Sequence, residues 1–242
     1  MEKILGKWTE ERLNEILRES AGIKDMGERI DFLSSLFLGI KFQYNTLIGD
    51  EKTPEVFVVN LAGIDCFTFL DYVEAMRCSG SFAEFTENVK KVRYRDGNVR
   101  YESRNHFFTD WSEFNAHLVK DVTTHIGRDQ TEAVKKTLNQ GDDDTLLLKG
   151  VKRQKREVFY IPSAALNETV FSRIQTGDYA GIYSELPSLD VSHVGIIIRD
   201  RGETWLRHAS SGREQGKVVD QELRGYITDK PGIIFLRPKE RL

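Results

Sequence analysis

Apolar residues recur at helical spacing through the first part of the chain and alternate with polar ones through the last third. Thr9-Glu10-Glu11-Arg12 reads as a capped helix start, with Leu13, Ile16 and Leu17 on one face. A second helix is expected from about Met26 to Leu38, with Ile30, Leu33, Leu36 and Phe37 inward. Val56-Phe57-Val58-Val59 marks a short strand within Glu55 to Asn60. The best-defined helix opens at Ile64-Asp65-Cys66. Asp65 is a good N-cap, and Ile64 and Phe69 stand where a hydrophobic staple needs them. Phe67, Leu70, Val73 and Met76 repeat every three residues, which predicts a buried helix ending near Ser79-Gly80. Val92 to Tyr101 reads as a hairpin around Asp96-Gly97-Asn98, and Ser103 to Trp111 as a loop entering a helix near Ser112. Gly141 to Asp144 reads as an acidic turn, Lys149 to Glu157 as a charged, solvated segment, and Ser163 to Ile174 as a short helix. Strands are expected at Gly177–Tyr183, Ser192–Ile198, Thr204–Ala209 and Gly232–Arg237. Helices first and antiparallel strands later predict an α+β fold. With no repeat or proline-rich linker, residues 1–242 read as one domain with a helical N-terminal part over about 1–50.

Composition narrows the function. Hydrophobic residues make up 39% of the 242 positions, and 14 of them are Phe, so the chain can bury a sizeable core. Against 35 basic residues stand 38 acidic ones, a net charge of −3, whereas nucleic-acid binders are usually basic. No nucleic-acid partner is expected. No apolar run reaches the roughly 18 residues of a membrane-spanning helix, and Met1 to Trp8 lacks the pattern of a signal peptide. The compartment stays open: the chain is intracellular, or periplasmic if an export signal was removed. Cys66 and Cys78 lie about 18 Å apart if one helix carries both, too far for a disulfide. With 2 Cys and 5 His no zinc-ligand spacing arises. No metal or cofactor is expected, and a monomer is.

Cys66 falls in the first turn of its helix, where free N–H groups and the helix dipole favour negative charge. A lowered thiol pKa is expected there. The plain alternative is a small hydrophobe in a core helix. His193 and His208 change the balance. An even-numbered loop around Asp200-Arg201-Gly202-Glu203 puts both on one sheet face, directly opposite or one diagonal step apart, about 4.5–8 Å between Cβ atoms. Gly195 beside His193 leaves room for another chain to approach. Together the three supply a nucleophile, a base and an orienting group. The Cys66 N–H would serve as an oxyanion donor.

These residues carry a resemblance. Asp65-Cys66-Phe67-Thr68-Phe69-Leu70, Gly177-Asp178, Ser192-His193-Val194-Gly195-Ile196 and His208-Ala209-Ser210 resemble, in order, the motifs of NlpC-type cell-wall cysteine hydrolases. The stretch from Asn60 to Cys66 with Thr68, and Asn105-His106-Phe107 leading to Asp110-Trp111, looks more like the N-acetylmuramoyl-L-alanine amidase-like branch. The resemblance runs from about Asn60 to Ser210. It implies a papain-like α+β fold in which the nucleophile helix packs on a C-terminal antiparallel sheet. It also implies Cys66 as nucleophile, His193 as general base and His208 as orienting residue. The implied substrate is peptidoglycan or its muropeptide fragments, cut at the amide between the muramic acid lactyl group and L-alanine. Phe67-Thr68 replaces the Ser-Gly that commonly follows Asp-Cys in the family, which argues against the usual γ-D-glutamyl specificity.

Secondary candidates for substrate binding are Asn60, Asp65, Arg104, Asn105 and Trp111, with Arg100 beside them. Arg forks bind carboxylates, and an aromatic face packs on a sugar ring. Three other functions stay open: a peptidase of the same fold cutting within the stem peptide, a carbohydrate hydrolase working with two carboxylates, and a non-catalytic cell-wall binding module.

Overall fold

A computed structural model describes residues 1–212 and 215–240, so the last two residues of the expected 1–242 unit lie outside the described residues. Along the chain run β1 (Glu2–Ile4), α1 (Glu10–Ala21), α2 (Met26–Ser35), β2 (Lys41–Phe42), β3 (Val58–Asn60), β4 (Gly63–Ile64), α3 (Cys66–Arg77) and α4 (Phe82–Arg93). Then come α5 (Phe108–Phe114), β5 (Val119–Asp121), α6 (Thr123–Gly127), β6 (Glu132–Leu138), β7 (Gln154–Pro162), α7 (Glu168–Phe171) and β8 (Tyr179–Tyr183). The chain closes with β9 (Val191–Asp200), β10 (Glu203–Ala209), β11 (Val218–Glu222), α8 (Leu223–Ile227) and β12 (Gly232–Pro238).

The main sheet is antiparallel, in the order β11-β10-β9-β8-β12-β7-β6, with β5 also pairing β12. On one face, Val194, Ile196 and Ile198 of β9 join α1 to α4 in a core that includes Phe37, Phe69 and Tyr72. On the other face, Ile197, Leu206 and Phe235 pack with α6, α7 and α8.

The helix starts follow their caps. Thr9 accepts from Arg12 N, and Asp25 from Glu28 N. Asp65 accepts from Phe67 N and Thr68 N, while Thr68 Oγ1 accepts from Asp65 N, which closes a capping box. From Thr68 to Arg77 the α3 helix is buried on every side. Its polar residues therefore carry partners: Glu74 meets Arg77 and the Tyr179 hydroxyl, and Asp71 meets Arg93 and Trp111.

Two expectations are corrected. No hairpin spans Val92 to Tyr101. Phe82, Phe85, Val89 and Val92 form a buried helical stripe, so α4 continues to Arg93, which is anchored on Asp71 and on Val58 O. Asp96 (φ 54°) and Gly97 (φ 68°) then turn the chain in a 3-10 turn. The charged segment is also only partly loose. From Gln154 it is strand β7, paired with β6, and Arg156 reaches Asp110 and Glu113. Among the described residues no helix is long and apolar enough to cross a membrane.

Candidate active site

The chain leaves β4 in extended conformation at Asp65 and enters α3 at Cys66. Asp65 Oδ1 caps the N–H groups of Phe67 and Thr68, and Oδ2 accepts from Thr46 Oγ1 at 3.2 Å. Cys66 is half-buried, and its sulfur sits deep enough for desolvation to dominate. Burial pushes the thiol up to about 12, and the Asp65 carboxylate pushes the same way. The N–H groups of Val194, Cys66 and Phe67 oppose this without overcoming it. The expected lowering at the helix N-terminus is therefore reversed. The helix end is real, but its neighbours are apolar and its cap is an anion.

The turn Arg201-Gly202 joins β9 to β10, with Asp200 paired to Glu203. In this register His193 and His208 lie one diagonal step apart on the same face. Nε2 of His193 is 2.7 Å from Nδ1 of His208. His208 is 2% exposed, and its Nε2 lies 3.3 Å from Gln221 Oε1 on β11. Tyr226 of α8 covers the pair, with ring centroids 5.2 Å from His208 and 6.4 Å from His193. Burial drives His193 down to about 3, with His208 and Lys230 adding to it. Burial also lowers His208, against Gln221 and Asp220. The Tyr226 hydroxyl rises to about 12 through burial and the neighbouring Cys66.

The imidazoles share the sheet face of Ile197 and Leu206, opposite the face that carries α3. The two sides come together at the start of β9. There the pairing with β8 shifts between Ile182 and Tyr183, leaving Ser192 as a bulge. The bulge puts Val191 on the face opposite His193, which strict alternation would not do. Cys66 and His193 line one cavity of about 80 Å³ at this point, together with Phe67, His106 and Asp190. His106 Nε2 donates to Tyr101 O at 2.8 Å, and burial lowers the ring to about 4. Asp190 accepts from the Thr109 N–H and hydroxyl and from its neighbour Val191 N. A larger cavity of about 650 Å³, beside Arg199 and Arg237, contains none of these cysteine or histidine residues. Among the described residues no group of three His, Cys, Asp or Glu stands close enough to hold a metal ion.

The secondary candidates lie elsewhere. Asn60 Oδ1 accepts from Ala62 N and Gly63 N, which builds the turn between β3 and β4. Arg104 grips Glu55 with both ends of its guanidinium, at 2.8 and 2.6 Å. Asn105 is buried and donates to Val92 O. Trp111 is 0% exposed, donates to Asp71 Oδ1 at 3.1 Å and packs between Phe108 and Tyr179. Internal partners thus engage Arg104 and Trp111, and the Asn105 amide nitrogen, while Asn105 Oδ1 is buried without a partner. Asp65 serves as cap. The site residues that sequence reasoning passed over are His106, Gln221 and Tyr226. Asn105-His106-Phe107 offered a signal for the first. Nothing local marked the other two.

A family model described as AmiA-like, N-acetylmuramoyl-L-alanine amidase-like, matches residues 32–233. Among solved structures, a Legionella pneumophila protein of the DUF1460 family is 26% identical, with TM-score 0.78 over 95% of each chain. An N-acetylmuramoyl-L-alanine amidase from Bacteroides uniformis is 27% identical, with TM-score 0.74 over 88% of this chain and 99% of that one. A Bacteroides fragilis protein with a provisional xylanase label is 28% identical, with TM-score 0.70 over 85% and 98%. No curated protein matches the chain.

Proposed function

The chain belongs to the AmiA-like, N-acetylmuramoyl-L-alanine amidase-like family, and from that premise we propose that it is a cysteine-dependent amidase of NlpC type and papain-like design. Its substrate is peptidoglycan or a muropeptide fragment, and the bond is the amide between the muramic acid lactyl group and L-alanine. The observation that carries this reading is the hydrogen-bonded His193–His208 pair reaching the cavity that Cys66 lines. The two cores share one sheet, which supports treating residues 1–242 as a single catalytic unit.

At neutral pH the resting site holds a neutral thiol and a neutral imidazole. Activation therefore accompanies attack. The Cys66 sulfur bonds to the lactyl carbonyl carbon while its proton passes to His193. The Cys66 N–H, which Asp65 leaves uncapped, receives the developing oxyanion. His193 then protonates the alanine nitrogen as the C–N bond breaks, which leaves a lactyl thioester and a free peptide amine. Water, deprotonated by His193, hydrolyses the thioester and restores the thiol. His208 holds the His193 ring throughout.

A cavity of about 80 Å³ admits the reacting amide but not a whole muropeptide. The sugar and peptide therefore extend beyond it. Phe67 lines this cavity where the wider family has Ser, which supports a specificity other than γ-D-glutamyl cleavage.

The test is Cys66→Ala against a defined muropeptide. Loss of the product that carries a free alanine amino group is expected, and undiminished release overturns the reading. A new amine within the stem peptide would make the enzyme a peptidase instead. Reducing-sugar release that survives thiol alkylation would favour a carbohydrate hydrolase. That alternative has little support at the cavity, since Asp190, which lines it, is already engaged by the Thr109 and Val191 N–H groups.

A further inference from the structure

We propose that Gln221 is a positioning residue that fixes the proton pattern of the imidazole pair, so that His193 presents a lone pair at Nδ1. This rests on the amidase reading for its catalytic meaning, though not for its chemistry. The side chains come from adjacent strands β9, β10 and β11, each one diagonal step from the next on a single face. The Gln221 amide oxygen is an acceptor, so the His208 nitrogen facing it, Nε2, carries the hydrogen. A neutral imidazole has one N–H, so His208 Nδ1 is then an acceptor. Its partner at 2.7 Å, His193 Nε2, must donate. The remaining nitrogen of His193, Nδ1, keeps its lone pair. The opposite amide orientation would invert every link and put a hydrogen on Nδ1, where no base could act.

At the other end of the relay, His193 and Cys66 line the same cavity. A neutral amide also suits the cycle. It orients His208 without an anion that would hold a proton on the pair, so His193 returns its proton readily to the leaving nitrogen. Near the pair stand Tyr226 of α8, Lys230 just beyond it and Asp220 beside Gln221, with Cys66 of α3 lining the cavity that His193 reaches.

The experiment reads the histidine ring nitrogens by ¹⁵N NMR in the full chain, together with muropeptide kinetics. In the wild type both His193 and His208 should carry hydrogen on Nε2. Gln221→Met keeps the length but offers only a weak acceptor. It should lose the Nε2–H preference at His208 and lower kcat roughly tenfold with KM little changed. Gln221→Glu should keep the nitrogen pattern, restore most of the rate, and move the acid limb of kcat/KM to higher pH. An unchanged nitrogen pattern in Gln221→Met, or hydrogen on Nδ1 of His193 in the wild type, overturns the proposal. If the wild type cleaves no muropeptide, the amidase reading fails, while the nitrogen pattern still decides the role of Gln221.

Discussion

Nε2 of His193 and Nδ1 of His208 lie 2.7 Å apart, and their rings stand nearly perpendicular at 85°. This contact orients a half-buried ring through a buried one. Removing His208 frees the His193 ring to rotate without removing the proposed base. His208→Ala should therefore lower kcat about 10²–10³-fold with little change in KM. A variant that loses KM and keeps kcat would assign His208 to binding.

The resting thiol is neutral by virtue of burial and the Asp65 carboxylate. Iodoacetamide should label Cys66 slowly at pH 7 and ever faster into alkaline solution, because only the thiolate reacts. Asp65→Asn keeps a competent N-cap and removes the charge, so labelling should be faster at each pH. A labelling plateau near neutrality in the wild type would show a preformed thiolate and reverse this account. Slow labelling is compatible with the proposed mechanism, in which substrate attack and proton transfer occur together.

His193 and His106 sit at about 3 and 4, below the ordinary 6.5, because burial disfavours their charged forms. Between pH 6.5 and those values the unfolded chain binds protons that the native chain refuses. Stability should therefore fall as pH drops through this window. Buried Asp71 and Asp190 are raised and act in the opposite direction at the acid end. A difference between variants isolates one histidine. His106→Gln retains a donor for Tyr101 O and should flatten the decline of Tm between pH 6.5 and 4. Parallel Tm curves for variant and wild type would refute the assignment.

What the sequence disclosed was local or strictly periodic. Asp65 marks the start of α3 because a cap acts on N–H groups two and three residues away. His193 and His208 could be paired because strand alternation and a short even turn fix their common face. What it concealed depends on distant partners. Trp111 looks like a sugar platform until Asp71, forty residues earlier, accepts its N–H. Arg104 looks like a carboxylate fork until Glu55 fills it. The Asp96-Gly97 pair resembles a hairpin turn, yet the buried stripe of α4 prevails. Gln221 and Tyr226 gain meaning only once β11 and α8 are docked beside β10.

Trp111→Phe tests whether Trp111 serves the core or the substrate. It retains an aromatic ring between Phe108 and Tyr179 but removes the donor to Asp71 Oδ1. A buried oxygen that loses one donor costs about 1–3 kcal/mol. Denaturant unfolding should show that loss, while KM for a muropeptide stays unchanged in the folded enzyme. A raised KM at wild-type stability would return Trp111 to the substrate groove.

Gly195 tests whether the spacing of β9 and β10 matters to the chemistry. A Cβ there would lie 2.7 Å from Leu206 Cδ1, 2.9 Å from Arg207 O and 3.0 Å from His208 Cβ. The leucine end can rotate away, but the carbonyl and the His208 Cβ belong to the framework of β10. Gly195→Ala should push β10 outward and stretch the 2.7 Å contact between the imidazoles. Overpacking of this kind costs about 1–3 kcal/mol, so lower stability alone would not implicate the pair. Gly127→Ala supplies the comparison. Its Cβ would crowd Thr131 and sit 2.8 Å from Ile161 Cγ1, on α6 and away from both histidines. Both variants should lose stability, and Gly195→Ala alone should lose kcat under conditions where each is fully folded. Equal kcat in the two folded variants would mean that the enzyme tolerates a loosened His193–His208 contact, and the orienting role of His208 would fall with it.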